Sequence, residues 1–215
     1  MTSTTRRRLA RRAARPRRTW VVVLVGLLGL VAAGCGAAEP QAPAGGIPSR
    51  LAAEARPIGR SARFHPPAGG TIIGRCAPRL GARAGVHVEV FAANRVVLLP
   101  AGISARRPLT YSSGRIVKAR CYGALVTVDP TGTVLVRPGR RLSLGDLFRA
   151  WGQRLSRRRL VSFTASPGAR VAVYVNGRRW AGLPGRVPLK RHNEIVLEVG
   201  PHVPPHKSYT FPPGI

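Results

Sequence analysis

Two runs of different period lie close together in this chain: Ala124-Leu125-Val126-Thr127-Val128-Asp129-Pro130-Thr131-Gly132-Thr133-Val134-Leu135-Val136-Arg137 and Ser143-Leu144-Gly145-Asp146-Leu147-Phe148-Arg149-Ala150-Trp151-Gly152. In the first, apolar and β-branched residues flank Asp-Pro-Thr-Gly, where proline presets φ and glycine accepts a positive φ. This predicts a hairpin with strands over 124–128 and 133–137. In the second, Leu144, Leu147, Phe148 and Trp151 fall at i, i+3, i+4 and i+7. Ser143 and Asp146 have capping-box spacing and Gly152 is a natural stop, so a helix is predicted through Ala150.

Upstream, the residues 86–92 and 95–99 alternate around Ala93-Asn94 and predict another hairpin, with a short strand at 71–74 before it. Downstream, 170–175 and 178–181 flank Asn176-Gly177, the dipeptide best suited to a type I′ turn. Residues 194–199 alternate as a last strand, and a proline-rich tail begins at Pro201. The order implies an α+β domain, mostly antiparallel β-hairpins with one packed helix, in a β-grasp-like arrangement.

Before this domain the chain has the organisation of an export signal. Residues 6–18 carry eight arginines and no acid, and an apolar run follows from Trp20 to the small-residue site Val31-Ala32-Ala33-Gly34-Cys35. The end resembles a bacterial lipobox, with Ala32 where leucine is preferred, and makes Cys35 the candidate lipidation site. An uncleaved single-pass helix stays open, since the 19 residues from Trp20 to Ala38 are uncharged. Thr5-Arg6-Arg7-Arg8-Leu9 leaves a twin-arginine route open beside the general one. Either anchor puts the remainder at the outer face of the cytoplasmic membrane, because the arginines stay inside. The expected organisation is therefore a signal or anchor over 1–35, a flexible Ala/Pro/Gly/Arg-rich linker over 36–70 with a short helix near 49–55, and one extracytoplasmic domain over 71–215.

The formal charge of +29 suggests a phosphate-backbone partner. Composition argues against nucleic acid: all but three of the 36 basic residues are arginine, they are scattered, and aromatic residues make up only 6% of the chain. The partners that fit are the membrane, through lipid or helix, and an anionic envelope polymer or small ligand.

Cys76 and Cys121 are the cysteines left besides Cys35, and outside the membrane such a pair is expected to be a disulfide. Of the five histidines only His202 and His206 have a suggestive spacing, and they sit in a proline-broken tail read as solvated. Asp129 is a turn residue by position. No nucleophile elbow, phosphate loop or dinucleotide fingerprint is present, and seven acids in the chain make paired carboxylates hard to assemble. The expectation is a protein that is not an enzyme and carries no cofactor.

An ordered set of tracts resembles an uncharacterised family of membrane-anchored or secreted bacterial proteins: His87-Val88-Glu89-Val90-Phe91, Leu99-Pro100-Ala101-Gly102-Ile103, Cys121-Tyr122, Asp129 with Gly132, Leu144-Gly145-Asp146-Leu147-Phe148 with Trp151-Gly152-Gln153, Val175-Asn176-Gly177 and Phe211-Pro212-Pro213-Gly214. The resemblance implies histidines at the positions held here by Gly85, Val126, Val128 and Leu135, which would converge on one sheet face as a transition-metal or polar ligand site. His87 and Asp129 survive from that pattern. With Glu89 they form a candidate vestigial ligand site, from which no firm transition-metal site is expected. The functional expectation is a membrane-tethered, non-catalytic binding or structural protein of the cell envelope. A basic domain for an anionic polymer or small ligand is the second reading, and a degenerate metal-binding protein or enzyme the third.

Overall fold

The structure, a computed structural model, describes residues 56–215. The anchor, Cys35 and the short helix near 49–55 lie outside the described residues. Among the described residues no helix is long and apolar enough to cross a membrane.

The domain is α+β, as the sequence predicts. At the centre of its seven-stranded sheet lie β1 (Ala84–Ala92) and β11 (Glu194–Val199), which pair in parallel with His87 opposite Glu194. Outside β11 come β9 (Ala172–Val175) and β10 (Arg178–Arg179), antiparallel across Asn176 and Gly177, both at positive φ. The other edge of β1 is shared by β2 (Arg95–Val96), turning through Ala93 and Asn94 at positive φ, and by β6 (Thr133–Val136), which pairs on its far side with β5 (Leu125–Val126). All the hairpins read from the sequence are present. The first and last strands of the sheet form its central parallel pair.

Helix α1 (Leu144–Trp151) starts at Ser143 with both arms of the capping box made to Asp146 and ends at Gly152 in the left-handed region. Its four periodic residues are at most 1% exposed. They pack on Val86, Val88, Val90, Ile195 and Leu197, the alternate residues of the two central strands, and this layer is the main core.

Three features depart from the sequence expectation. Residues 71–74 form no strand. The hairpin β3 (Ala105–Ser112) and β4 (Arg115–Tyr122) has no clear signal, because Pro108 and exposed basic residues interrupt its alternation, and Ala105, Leu109, Ile116, Ala119 and Tyr122 turn inward. The stretch 57–70, read as part of the linker, packs on the domain. Gly59 N–H donates to Val96 O at 3.1 Å, Trp151 Nε1 donates to Pro66 O at 3.3 Å, and Phe64 lies against Phe163. Proline-rich sequence without period can still be ordered when backbone groups of neighbouring elements need partners.

The expected disulfide is present. Cys76 and Cys121 have Cα atoms 5.4 Å apart and close a separation of 45 residues, tying the segment before β1 to β4.

Candidate functional site

Alternation along β1 turns Gly85, His87, Glu89 and Phe91 away from the helix, and along β11 it does the same for Glu194, Val196 and Glu198. Three of the seven acids in the chain therefore stand on one sheet face, and each meets a histidine. His87 Nδ1 lies 2.7 Å from Glu194 Oε2, His206 Nδ1 donates to Glu89 at 2.8 and 3.0 Å, and His202 Nδ1 donates to Glu198 at 2.7 Å. Two of these histidines come from the tail, which stays largely exposed as its sequence suggests but is engaged with the sheet through them. It crosses this face and lays the Tyr209 ring on His87, 3.8 Å between centroids.

His87 is 6% exposed and Glu194 1%. Nε2 of His87 donates to the Thr131 carbonyl at 2.9 Å, so the proton between Nδ1 and Glu194 is held by one or the other of that pair. Burial by itself pushes the His87 imidazolium down, but the hydrogen bond and charge of Glu194, helped by Glu89 and Thr131, turn the net shift upward. Burial, then the charge of Glu194, raises Glu89 despite the opposing His206. Glu194 Oε1 is buried without a hydrogen-bond partner. Glu198 also accepts from Tyr174 Oη at 3.2 Å and from the Val203 N–H at 2.8 Å. Burial, then Glu198, raises the Tyr174 phenol.

Of the sequence candidates, His87 and Glu89 come together and Asp129 does not join them. Its carboxylate is occupied by Thr131 and by Arg115 Nη1 at 2.7 Å, the work of a turn residue. Glu194 takes its place: one ligating atom each from His87, Glu89 and Glu194 lies within 4.8 Å of the others. The signal for Glu194 and Glu198 is two acids four residues apart, hence on one face, in an otherwise apolar strand. Gly132, at φ 84°, lies under the His87 ring, where a Cβ would come within 2.9 Å of Nε2. Beside His87, Glu89 and Thr131 there is a cavity of about 100 Å³.

The positions that the resemblance marks for lost histidines are neighbours on this same face. Gly85 pairs with Leu135 and Val126 pairs with Leu135. Val126, Val128 and Leu135 form an apolar cluster with Ile116, Ala119 and Tyr122 under the β3–β4 hairpin. A Cβ at Gly85 would meet Phe211 at 2.7 Å, so the tail occupies that place.

A second feature escaped sequence reading altogether. Register brings Ala84 opposite Val136, and His192 N–H donates to Gly85 O at 2.7 Å, so the ends of three elements converge. Their flanking residues line a cleft of about 750 Å³ with Arg83, Arg137, Arg140, Arg141, Lys190 and Arg191, and no acidic side chain is among its described lining residues. Arg83 is 6% exposed. Nε and Nη1 donate to the carbonyls of Leu80, Gly123 and Ala124, while Nη2 is buried without a partner. Burial and the neighbouring Arg137 hold its pKa down to about 10.

No protein-family model matches the chain, and no curated protein or solved structure is significantly similar to it. The fold and these two sites define an α+β domain with a basic cleft and a tail-covered histidine–glutamate face.

Proposed function

We propose that this chain is an exported, membrane-tethered, non-catalytic binding protein of the bacterial cell envelope, and that its basic cleft seats an anionic group of an envelope polymer or small ligand. The cleft carries the reading: Arg137, Arg140, Arg141, Lys190 and Arg191 line one concavity beside the buried Arg83, no acidic side chain is among its described lining residues, and the positive potential this creates over a largely apolar surface favours a bound anion. Guanidinium groups suit phosphate and carboxylate oxygens because their paired N–H donors match that geometry. Against catalysis stands the burial of the His87–Glu194 pair beneath Tyr209, beside a cavity too small for an organic substrate.

The test is a binding titration of the full chain in detergent with a phosphodiester polymer, a polycarboxylate and inorganic phosphate. Replacing Arg140 and Arg191 together by alanine should weaken polymer binding by roughly tenfold or more, and raised salt should weaken it further. Polymer affinity unchanged by the double replacement would remove the cleft from the reading.

A further inference from the structure

We infer that His87, Glu89, Glu194 and His206 form a binding site for one divalent first-row transition-metal ion, distinct from the basic cleft. Counting donors along single strands leaves His87, Glu89 and Asp129. The fold removes Asp129 to its turn and adds two donors: Glu194, brought opposite His87 by the parallel register, and His206, brought onto Glu89 by the tail.

Four observations carry the site. Donor atoms of His87, Glu89 and Glu194 lie within 4.8 Å of one another, and His206, outside that set, reaches its edge with Nδ1 2.8 Å from the Glu89 carboxylate on a half-exposed side chain that can turn toward the ion. His87 is oriented as metal-bound imidazoles are, since its far nitrogen donates to a backbone carbonyl and its near nitrogen faces the carboxylates. Glu194 is 1% exposed and its Oε1 has no partner, so a lone pair is already desolvated. The adjoining cavity of about 100 Å³ is on the scale of an ion with a bound water.

Charge and ligand type narrow the occupant. Two carboxylates neutralise a dication while the imidazoles bind as neutral ligands, so the proton shared by His87 and Glu194, and any on His206, leave as the metal enters. Two nitrogens with two oxygens suit zinc, cobalt, nickel, manganese or iron(II), whereas calcium and magnesium favour all-oxygen shells.

The full chain in detergent, stripped with chelator, would be titrated with Co²⁺ as a spectroscopic probe and then with Zn²⁺. The expected result is a visible d–d band that saturates at one equivalent and is displaced by Zn²⁺. Glu194→Gln and His206→Ala should each weaken Co²⁺ binding by about tenfold or more, while Asp129→Asn leaves it unchanged. Should Glu194→Gln fail to fold, His206→Ala decides by itself, because that side chain is 46% exposed and its loss leaves the sheet intact. Absence of a saturable band, or a band indifferent to His206→Ala, overturns the proposal, and neither outcome bears on polymer binding at the cleft.

Discussion

The two faces of the sheet are made by alternate residues of the same strands, yet they solve different problems. The helix-side face is apolar throughout, with valine, isoleucine and leucine packed under Trp151 and Phe148. The tail-side face retains His87, Glu89, Glu194 and Glu198 in a chain that has few acids to place. An apolar face is held by contact area alone, whereas buried charges must each find a partner, and here half of those partners arrive from a segment without regular structure. A pairing of buried charges seldom out-stabilises apolar residues of the same size, so its retention points to a use beyond packing.

Breaking the helix-side face should have the largest effect. Trp151→Ala empties a site that is fully buried and should cost up to about 5 kcal/mol, read from denaturant unfolding. Removing the bond between Cys76 and Cys121 with Cys121→Ser frees a 45-residue loop and should cost about 4 kcal/mol by the same measurement.

On the tail-side face, Glu194→Ala leaves His87 buried beside a lost partner and should cost about 3 kcal/mol. Replacing both residues by leucine should recover most of that loss. Recovery to within about 1 kcal/mol of the parent chain would sharpen the contrast between the faces, and a double variant worse than the single would show the pair to be structural.

A smaller effect follows from protonation. The folded-state pKa of His87 lies above its ordinary 6.5, so its contribution is fully present below that pH and is lost as pH rises through the higher folded value. Glu89, raised above 4.5, acts in the same direction at lower pH, because the folded state holds its proton longer. Metal-free protein should lose stability as pH climbs above about 6.5, and His87→Gln should flatten that part of the curve. A slope of the opposite sign would mean that burial outweighs Glu194 at His87. The smallest change is expected at the turn, where Arg115→Ala removes a half-exposed ion pair with Asp129 and should cost under about 1 kcal/mol.

Much of the fold was legible because its signals are local. The capping box at Ser143 and Asp146, the spacing of Leu144 to Trp151, and the turns at Ala93-Asn94 and Asn176-Gly177 depend on a few adjacent residues. The β3–β4 hairpin was not legible, since its strands mix arginine, proline and a partial apolar face, and pairing rather than pattern defines them. The ordered stretch 57–70 was hidden for a related reason: its stability comes from Val96, Trp151 and Phe163, distant in sequence.

By itself the sequence determined the α+β class, the helix, the three hairpins with clear turn signals and the disulfide pair, because periodicity, turn chemistry and cysteine arithmetic act over short range or by elimination, while the interest of His87 and Glu89 came from the family resemblance. Only the tertiary structure decided that Glu194 replaces Asp129, that the tail histidines are engaged, and that cationic residues scattered in sequence line one cleft. Those outcomes depend on the parallel register of β1 with β11 and on the edge shared with β6. No residue announces a pairing across a hundred positions; it emerges when the apolar faces of the strands are buried together under one helix.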